Sequence, residues 1–307
     1  MARYLIVGGS GFLGVNLACH LARAGHAVAV CSRSISRHAA ALHAAGVIQH
    51  QARLGDLAAL RAIVLRMAPD AVIHMASGLI VADTDRAYRH ERDEIVTPTW
   101  QLAEFLARCD IRLVYFSSGG AVYGEGDGGL LHEQMPCRPV SYYGLGKLEA
   151  EEAIRFVHRT RGLRHLIVRP SNPYGLLQRD DGRQGLIQVA LRAVREASRL
   201  PVWGDGNSVR DYIHVDDLCH AMEALLAIDA AELTVNIGSG TGHSLLQVLE
   251  AVYRVTGHRV PLDFHPARSA DVAHVVLDVG RLKALGAWRS RSLQSGLRAC
   301  IAAPEHA

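Results

Sequence analysis

Only two of the 33 Lys and Arg residues are lysines, and one of them, Lys147, follows Tyr143 by four positions in SYYGLGK. Residues i and i+4 of a helix stand one above the other on the same face. The spacing therefore brings a phenol and an ammonium together, either as a packing arrangement or as a pair that moves a proton. A second set of residues suits phosphate. In VGGSGFLG, Gly8, Gly11 and Gly14 stand three apart, and Gly9, Gly11 and Gly14 also fit GxGxxG. Glycines there permit a tight turn and let backbone N–H groups approach a pyrophosphate at a helix N-terminus. Phe12 and Leu13 belong to the same turn, which is predicted to bind a dinucleotide because a strand precedes it and a helix follows.

The elements that must position these residues are legible as alternating short apolar runs and longer helical patterns. RYLIVGG, HAVAVCS, GVIQHQ, DAVIHMA, RLVYFSS and RHLIVRP read as strands. Between them, helices are expected over residues 12–25, 56–67, Arg86 to Arg108 and Tyr142 to Thr160. Strands alternating with helices imply an α/β chain, a Rossmann-type doubly wound parallel sheet. Beyond Pro170 the pattern changes to a Gly- and Asp-rich stretch, a helix from Leu186 to Ser198, and then short strands and helices. Two domains are expected: residues 1–170 for the dinucleotide and a smaller α/β lobe over 171–307, with segments around 208–240 returning to the first.

At the end of the second strand, where an acid usually holds the adenosine ribose, stand Cys31, Ser32 and Arg33. A missing acid with a nearby arginine favours a 2′-phosphate and hence NADP. In a chain this rich in arginine, Arg33 is equally read as a surface residue. Asp56, followed by Leu57, either meets the adenine amino group or caps the next helix.

A serine-bearing loop, SSGGAVYG, ahead of a YxxxK helix on a dinucleotide fold resembles the short-chain dehydrogenase/reductase superfamily. VIHMASG, RPSNPYG and VRDYIHVDDL narrow the resemblance to its extended branch, the NAD-dependent nucleotide-sugar epimerases and dehydratases typified by UDP-galactose 4-epimerase. It runs from Tyr4 to about Gly286. The resemblance implies a catalytic Tyr143 and Lys147, with Lys147 also holding the nicotinamide ribose. Tyrosine alone has a pKa of about 10; a nearby ammonium and an oxidised nicotinamide favour its phenolate, which can take a proton from a sugar hydroxyl. Met75, Ala76 and Ser117 are implied at the cofactor, and His74 as a structural hydrogen bond. The family's assisting Ser or Thr falls on Gly119, so Ser118 is the candidate for that role; the alternative is that Ser117 and Ser118 only close the loop. The 4,6-dehydratases use a Thr-Asp-Glu run here, and GGA offers no carboxylate, which argues against dehydration.

On the substrate side the resemblance implies Asn172 and Arg210 at the nucleotide diphosphate, with Arg268 and Asp271 at the nucleotide; a guanidinium fork matches phosphate oxygens. The nucleotide is implied to be UDP. HVDD (His214, Asp216, Asp217) reads as a helix start capped by Asp216, and no metal is expected. Trp203 and Trp288 are expected in the core or between lobes. A homodimer through the helices near 86–108 and 142–160 is implied. The implied activity is 4-epimerisation with bound NAD; rivals are an NADPH-dependent 4-keto-sugar reductase and a non-catalytic nucleotide-binding sensor.

Composition excludes several classes. A net charge of +3 and scattered arginines give no nucleic-acid surface. No run approaches the length of a membrane span, and the chain enters its first strand without a signal-like leader. Six cysteines without a CxxC suit a reducing compartment, so a cytoplasmic location is expected.

Overall fold

β1 (Arg3–Val7), β2 (Ala27–Ser32), β3 (Ile48–Gln51), β4 (Ala71–His74), β5 (Arg112–Phe116) and β6 (His165–Pro170) are the six apolar runs of the first half. Leu, Ile and Val fill the inner strands on both faces, as buried parallel strands require, while β3 at the sheet edge leaves Ile48 exposed. The computed structural model describes residues 1–77, 84–126, 128–178, 185–267 and 272–302. Later come β7 (Asn172–Tyr174), β8 (Leu200–Trp203), β9 (Val209–His214), β10 (Glu232–Ile237), β11 (Gly242–Ser244), β12 (Leu262–His265) and β13 (His274–Val275). The first six helices are α1 (Phe12–Arg23), α2 (Ala39–Ala44), α3 (Leu57–Met67), α4 (Asp85–Glu91), α5 (Thr97–Arg108) and α6 (Tyr142–Arg161). They are followed by α7 (Leu186–Glu196), α8 (Val215–Leu226), α9 (Leu245–Thr256), α10 (Gly280–Ala284) and α11 (Leu293–Ala302).

Contacts divide the chain into two units. The first comprises Met1–Val122, Pro139–Arg169 and Leu226–Val235. Its sheet has the order β10-β6-β5-β4-β1-β2-β3, with every pair from β3 across to β6 parallel. This is the doubly wound α/β order, which reverses between β1 and β4 and opens a crevice at the carboxyl ends of those strands. Leu5, Val72, Leu113 and Ile167 bury one sheet face against Leu60 of α3, Leu102 of α5 and Ile154 of α6. The Rossmann reading of the sequence is borne out.

The second unit comprises Tyr123–Arg138, Pro170–Leu225 and Asn236–Ala307. β9 pairs with β7, β11 and β13, β12 pairs with β8, and α7, α9 and α11 share an apolar core. Fully buried Asn236 stitches the loop after β5 into this unit. Its Oδ1 accepts from Tyr123 Oη at 2.7 Å, its Nδ2 donates to Leu131 O at 2.8 Å, and its N–H donates to Glu133 Oε1 at 2.9 Å.

Three expectations need correction. The helix predicted over Arg86 to Arg108 is interrupted by a π turn, Arg92–Val96, in which the Thr97 N–H donates to Arg92 O. Pro98 supplies the reason: it has no N–H to continue an α pattern onto Glu94 O. Asp216 is not the cap of α8. The helix begins at Val215, and the Asp216 N–H donates to His214 Nδ1 at 3.3 Å. Of the two places expected for Trp203 and Trp288, the structure rules out the core: they are 40% and 37% exposed, with Trp203 stacked on His265 and Lys283 over Trp288. Among the described residues, no helix is long and apolar enough to cross a membrane, and no cluster of His, Cys, Asp and Glu is placed to hold a metal ion.

Candidate active site

The glycine-rich turn sits between β1 and α1. Gly8 has a φ of +84°, and a Cβ there would stand 2.5 Å from Ala76 N at the end of β4. A Cβ on Gly14 would lie 2.5 Å from Gly9 Cα. Gly11 differs: a Cβ there would meet nothing nearer than Gly8 O at 4.0 Å, so its empty side faces open space. Gly11 is also the N-cap of α1 and offers no side-chain cap to the first-turn N–H groups, which are left to an anion. Phe12 and Leu13 open this helix, both half-buried.

Ser32 Oγ accepts the Ser10 N–H at 2.9 Å, while buried Ser36 donates its Oγ–H to Ser10 O at 3.1 Å. Ser32 thus fastens the loop, and Ser36, which carries no motif and was missed in the sequence, fastens it from the other side. Cys31 is buried in the sheet and Arg33 is exposed beyond β2. Asp56 caps α3, accepting the Ala59 N–H at 3.0 Å, and Leu57 is the first helical residue.

His74 is structural. Thr99 Oγ1 donates to Ile95 O at 2.6 Å and so accepts from His74 Nε2 at 2.7 Å; Nδ1 accepts the Ala76 N–H at 3.1 Å. With both nitrogens committed, the ring is neutral, and burial with Lys147 nearby lowers its pKa to about 3. Met75 and Ala76 follow it past the glycine turn, where the Met75 N–H donates to Val7 O.

α6 starts under Ser141, whose Oγ accepts the Gly144 N–H at 3.1 Å. A side chain at 144 would run into Ala121 O and Pro139, so the helix start is pressed against the loop after β5. That contact brings Tyr143 to Ser118, whose hydroxyl hydrogen-bonds the phenol. Tyr143 is half-buried; burial raises its pKa, the Ser118 bond lowers it, and the negative Glu91 raises it. Lys147, one turn on, is only 5% exposed. Its Nζ donates to Phe116 O at 2.9 Å, lies 5.1 Å from the Tyr115 ring centre and 5.8 Å from that of Tyr143. Burial lowers its pKa to about 8, against the opposing pull of Glu91 and Glu151.

Glu151, fully buried, takes Arg169 Nε at 3.0 Å and Nη2 at 2.6 Å, and Arg155 Nη2 at 2.8 Å. Despite burial, the guanidiniums hold its carboxyl below the ordinary range. Positions 143, 147 and 151 form one i, i+4, i+8 row, a signal by which Glu151 could have been found. Buried Glu91, donated by α4, had no such signal. Ser117 is buried beside these groups at the end of β5.

Asn172 and Arg210 both lie in the second unit. Asn172 Nδ2 donates to Asp211 O at 2.9 Å, and Arg210 Nη1 donates to Val209 O at 2.9 Å. Arg268 and Asp271 fall outside the described residues. The structure therefore brings Tyr143, Lys147, Ser118 and Ser117 together, and places the glycine turn, Met75 and Ala76 on one rim of the sheet in the same unit.

The chain is 32% identical over 303 residues to a UDP-glucose 4-epimerase of Streptomyces lividans, covering 93% of this chain and 91% of the relative. It is 31% identical over 234 residues to a putative UDP-glucose 4-epimerase of Methanocaldococcus jannaschii, covering 76% of each. Among solved structures, UDP-glucose 4-epimerase from Thermotoga maritima with UDP-glucose superposes with a TM-score of 0.90 at 27% identity, covering 97% of each chain. The Thermus thermophilus UDP-glucose 4-epimerase in complex with NAD gives 0.89 at 28%, again over 97% of each. Residues 4–238 match the NAD dependent epimerase/dehydratase family, and the chain belongs to that family.

Proposed function

We propose that the protein is a nucleotide-sugar 4-epimerase that retains NAD and acts on a UDP-hexose or UDP-hexosamine through a transient 4-keto sugar. The observation that carries this reading is Tyr143 held against the Ser118 hydroxyl with the Lys147 ammonium buried behind it. A dinucleotide fits the first unit, because the glycine turn leaves a cradle at Gly11 that any side chain would enter. Gly8, Gly11, Phe12, Leu13 and Gly14 would hold its pyrophosphate. Ser32, Arg33, Asp56 and Leu57 would hold the adenosine end, and Met75, Ala76 and Ser117 would line the nicotinamide end.

When bound, the nicotinamide supplies the hydride acceptor and donor for the sugar C4 and a positive charge beside the phenol. Tyr143 takes the C4 hydroxyl proton as phenolate and returns it to the same oxygen after the ring has turned over. Ser118 donates a hydrogen bond to that oxygen. Lys147 stabilises the phenolate and holds the nicotinamide ribose, a compact ammonium where a guanidinium fork would not fit. Asn172 and Arg210, with Arg268 and Asp271, are proposed for the nucleotide diphosphate. Since the Lys147 ammonium is needed and its pKa is about 8, turnover is expected to fall as pH rises through that value. A pH–rate profile checks this.

Gly11→Ala and Gly14→Ala separate folding from cofactor binding. Gly11→Ala is expected to unfold in denaturant like the wild type but to release its NAD. Gly14→Ala must move the Gly9 backbone and is expected to lose about 1–3 kcal/mol of stability.

A 4-keto-sugar reductase is the second reading, favoured by two observations. Arg33 is exposed beyond β2, and 58% of the chain is 31% identical to a dTDP-4-dehydro-6-deoxyglucose reductase of Escherichia coli. The epimerase reading has the greater coverage. α5 and α6 expose Trp100 and Phe156, 42% and 48%, and we assign them to a homodimer interface that light scattering would detect. Mass spectrometry of small molecules released on denaturation tests the reading. Stoichiometric NAD supports epimerisation; an empty protein that binds NADPH reversibly supports the reductase.

A further inference from the structure

α4 delivers Glu91 to the pair on α6. The carboxylate is 4% exposed, and Ser77 donates its Oγ–H to Glu91 Oε1 at 3.4 Å. Across the helix interface stands Gly146, one residue before Lys147, where an added Cβ would lie 3.4 Å from Glu91 Cγ. A methyl group there would just touch the Glu91 side chain, so α4 packs directly on α6 one residue before the lysine. The π turn begins at the next residue, Arg92. Its extra residue shifts the phase between α4 and α5, so that Ile95 and Thr99 can bury on the sheet side while Glu91 keeps its place against α6. Such turns recur at functional sites.

We infer that Glu91 is a positioning residue for the Tyr143–Lys147 pair, its buried carboxylate being the fixed countercharge that keeps the Lys147 ammonium in place beside the phenol. The inference rests on the reading of those two residues as the proton-handling pair. The charge environment supports it. Glu91 and Glu151 are the two carboxylates that favour the charged form of Lys147. Glu151 already shares its charge with Arg169 and Arg155. Glu91 also acts on Tyr143 and, from β5, on Tyr115, disfavouring both phenolates. The neighbouring groups are accounted for: His74 at the end of β4 is neutral, Arg92 pairs with Glu149 at 3.7 Å, and Tyr88 donates to Glu149 at 2.6 Å.

Removing the Glu91 charge should therefore lower the pKa of Tyr143 and of Lys147 together. The test needs no substrate. Ultraviolet phenolate titration of the purified protein, minus the same titration of Tyr143→Phe, isolates Tyr143; the difference is then repeated in a Glu91→Gln background. The Tyr143 half-titration point is expected about one pH unit lower in Glu91→Gln, and the Lys147 point, followed by side-chain NMR on one of only two lysines in the chain, is expected to fall below its value of about 8. Glu91→Asp keeps the charge but draws it back by one methylene, and its point is expected to fall by a smaller amount. If Glu91→Gln does not fold, the Glu91→Asp shift decides. An unmoved titration in the folded variants overturns the inference, and a residue that only packs would lower the melting temperature without moving it. Absence of epimerisation would instead contradict the activity proposed above and leave this titration standing.

Discussion

Tyr143→Phe is expected to lower kcat by roughly 10²–10⁴-fold, the range for removal of a general acid–base group, while cofactor content and KM change little. The reason is local. The phenol is half-buried, so the variant keeps the ring and its packing at the start of α6 and loses only the oxygen that meets Ser118. Lys147 stays where it is in the variant, its Nζ donating to Phe116 O at 2.9 Å and standing 5.8 Å from the ring centre at position 143. Steady-state kinetics on the two proteins, each first assayed for bound NAD, measures the loss. A phenylalanine variant within a few-fold of the wild type would mean that the proton is moved by another group.

The largest expected effect on stability comes from Arg169→Leu. Arg169 is 2% exposed, and its guanidinium makes two bonds to the fully buried Glu151 carboxylate. Removing one partner of a buried pair leaves the other charge uncompensated, at about 3–5 kcal/mol. Arg155 remains on Glu151 at 2.8 Å, which favours the lower end of that range. The sign with pH follows from the carboxyl's depressed pKa. In the wild type the pair contributes above the ordinary glutamate value of about 4.3, and the contribution is lost as pH falls through the lower folded value. In Arg169→Leu the carboxyl rises instead, so acid protonates it and relieves the loss. The gap between variant and wild type should therefore be widest near neutrality and narrow on acidification. Denaturant melts at several pH values check this, and Arg169→Leu combined with Glu151→Leu should recover part of the loss.

Much of this was legible in the sequence because it depends on spacing along one chain segment. The glycine turn is read from a strand, three glycines and a helix, and the structure shows why two of them admit no side chain: Gly8 touches Ala76 and Gly14 touches Gly9. The Tyr143–Lys147 face is read from a four-residue interval, and the same interval extended once reaches Glu151. What could not be read lies between segments. Glu91 meets α6 from the residue just before a π turn, and the expected uninterrupted helix hides the phase that the turn sets. Ser36 holds the glycine turn from 26 residues away, through a loop with no periodicity. The loop after β5 joins the second unit through Asn236, more than 100 residues later, a partner that neither charge nor pattern indicates. Asp216 has the composition of a cap, yet His214 accepts the N–H that a cap would take.

The central claim, epimerisation at C4 with a retained cofactor, is tested most directly by incubating freshly purified protein with UDP-glucose and, separately, UDP-N-acetylglucosamine, with no nicotinamide added. C4 stereochemistry is then followed by proton NMR. The account predicts that at least one of these sugars approaches an equilibrium mixture with its 4-epimer, and that Tyr143→Phe leaves both unchanged. Two unchanged sugars, together with consumption of NADPH by a 4-keto nucleotide sugar, would contradict it.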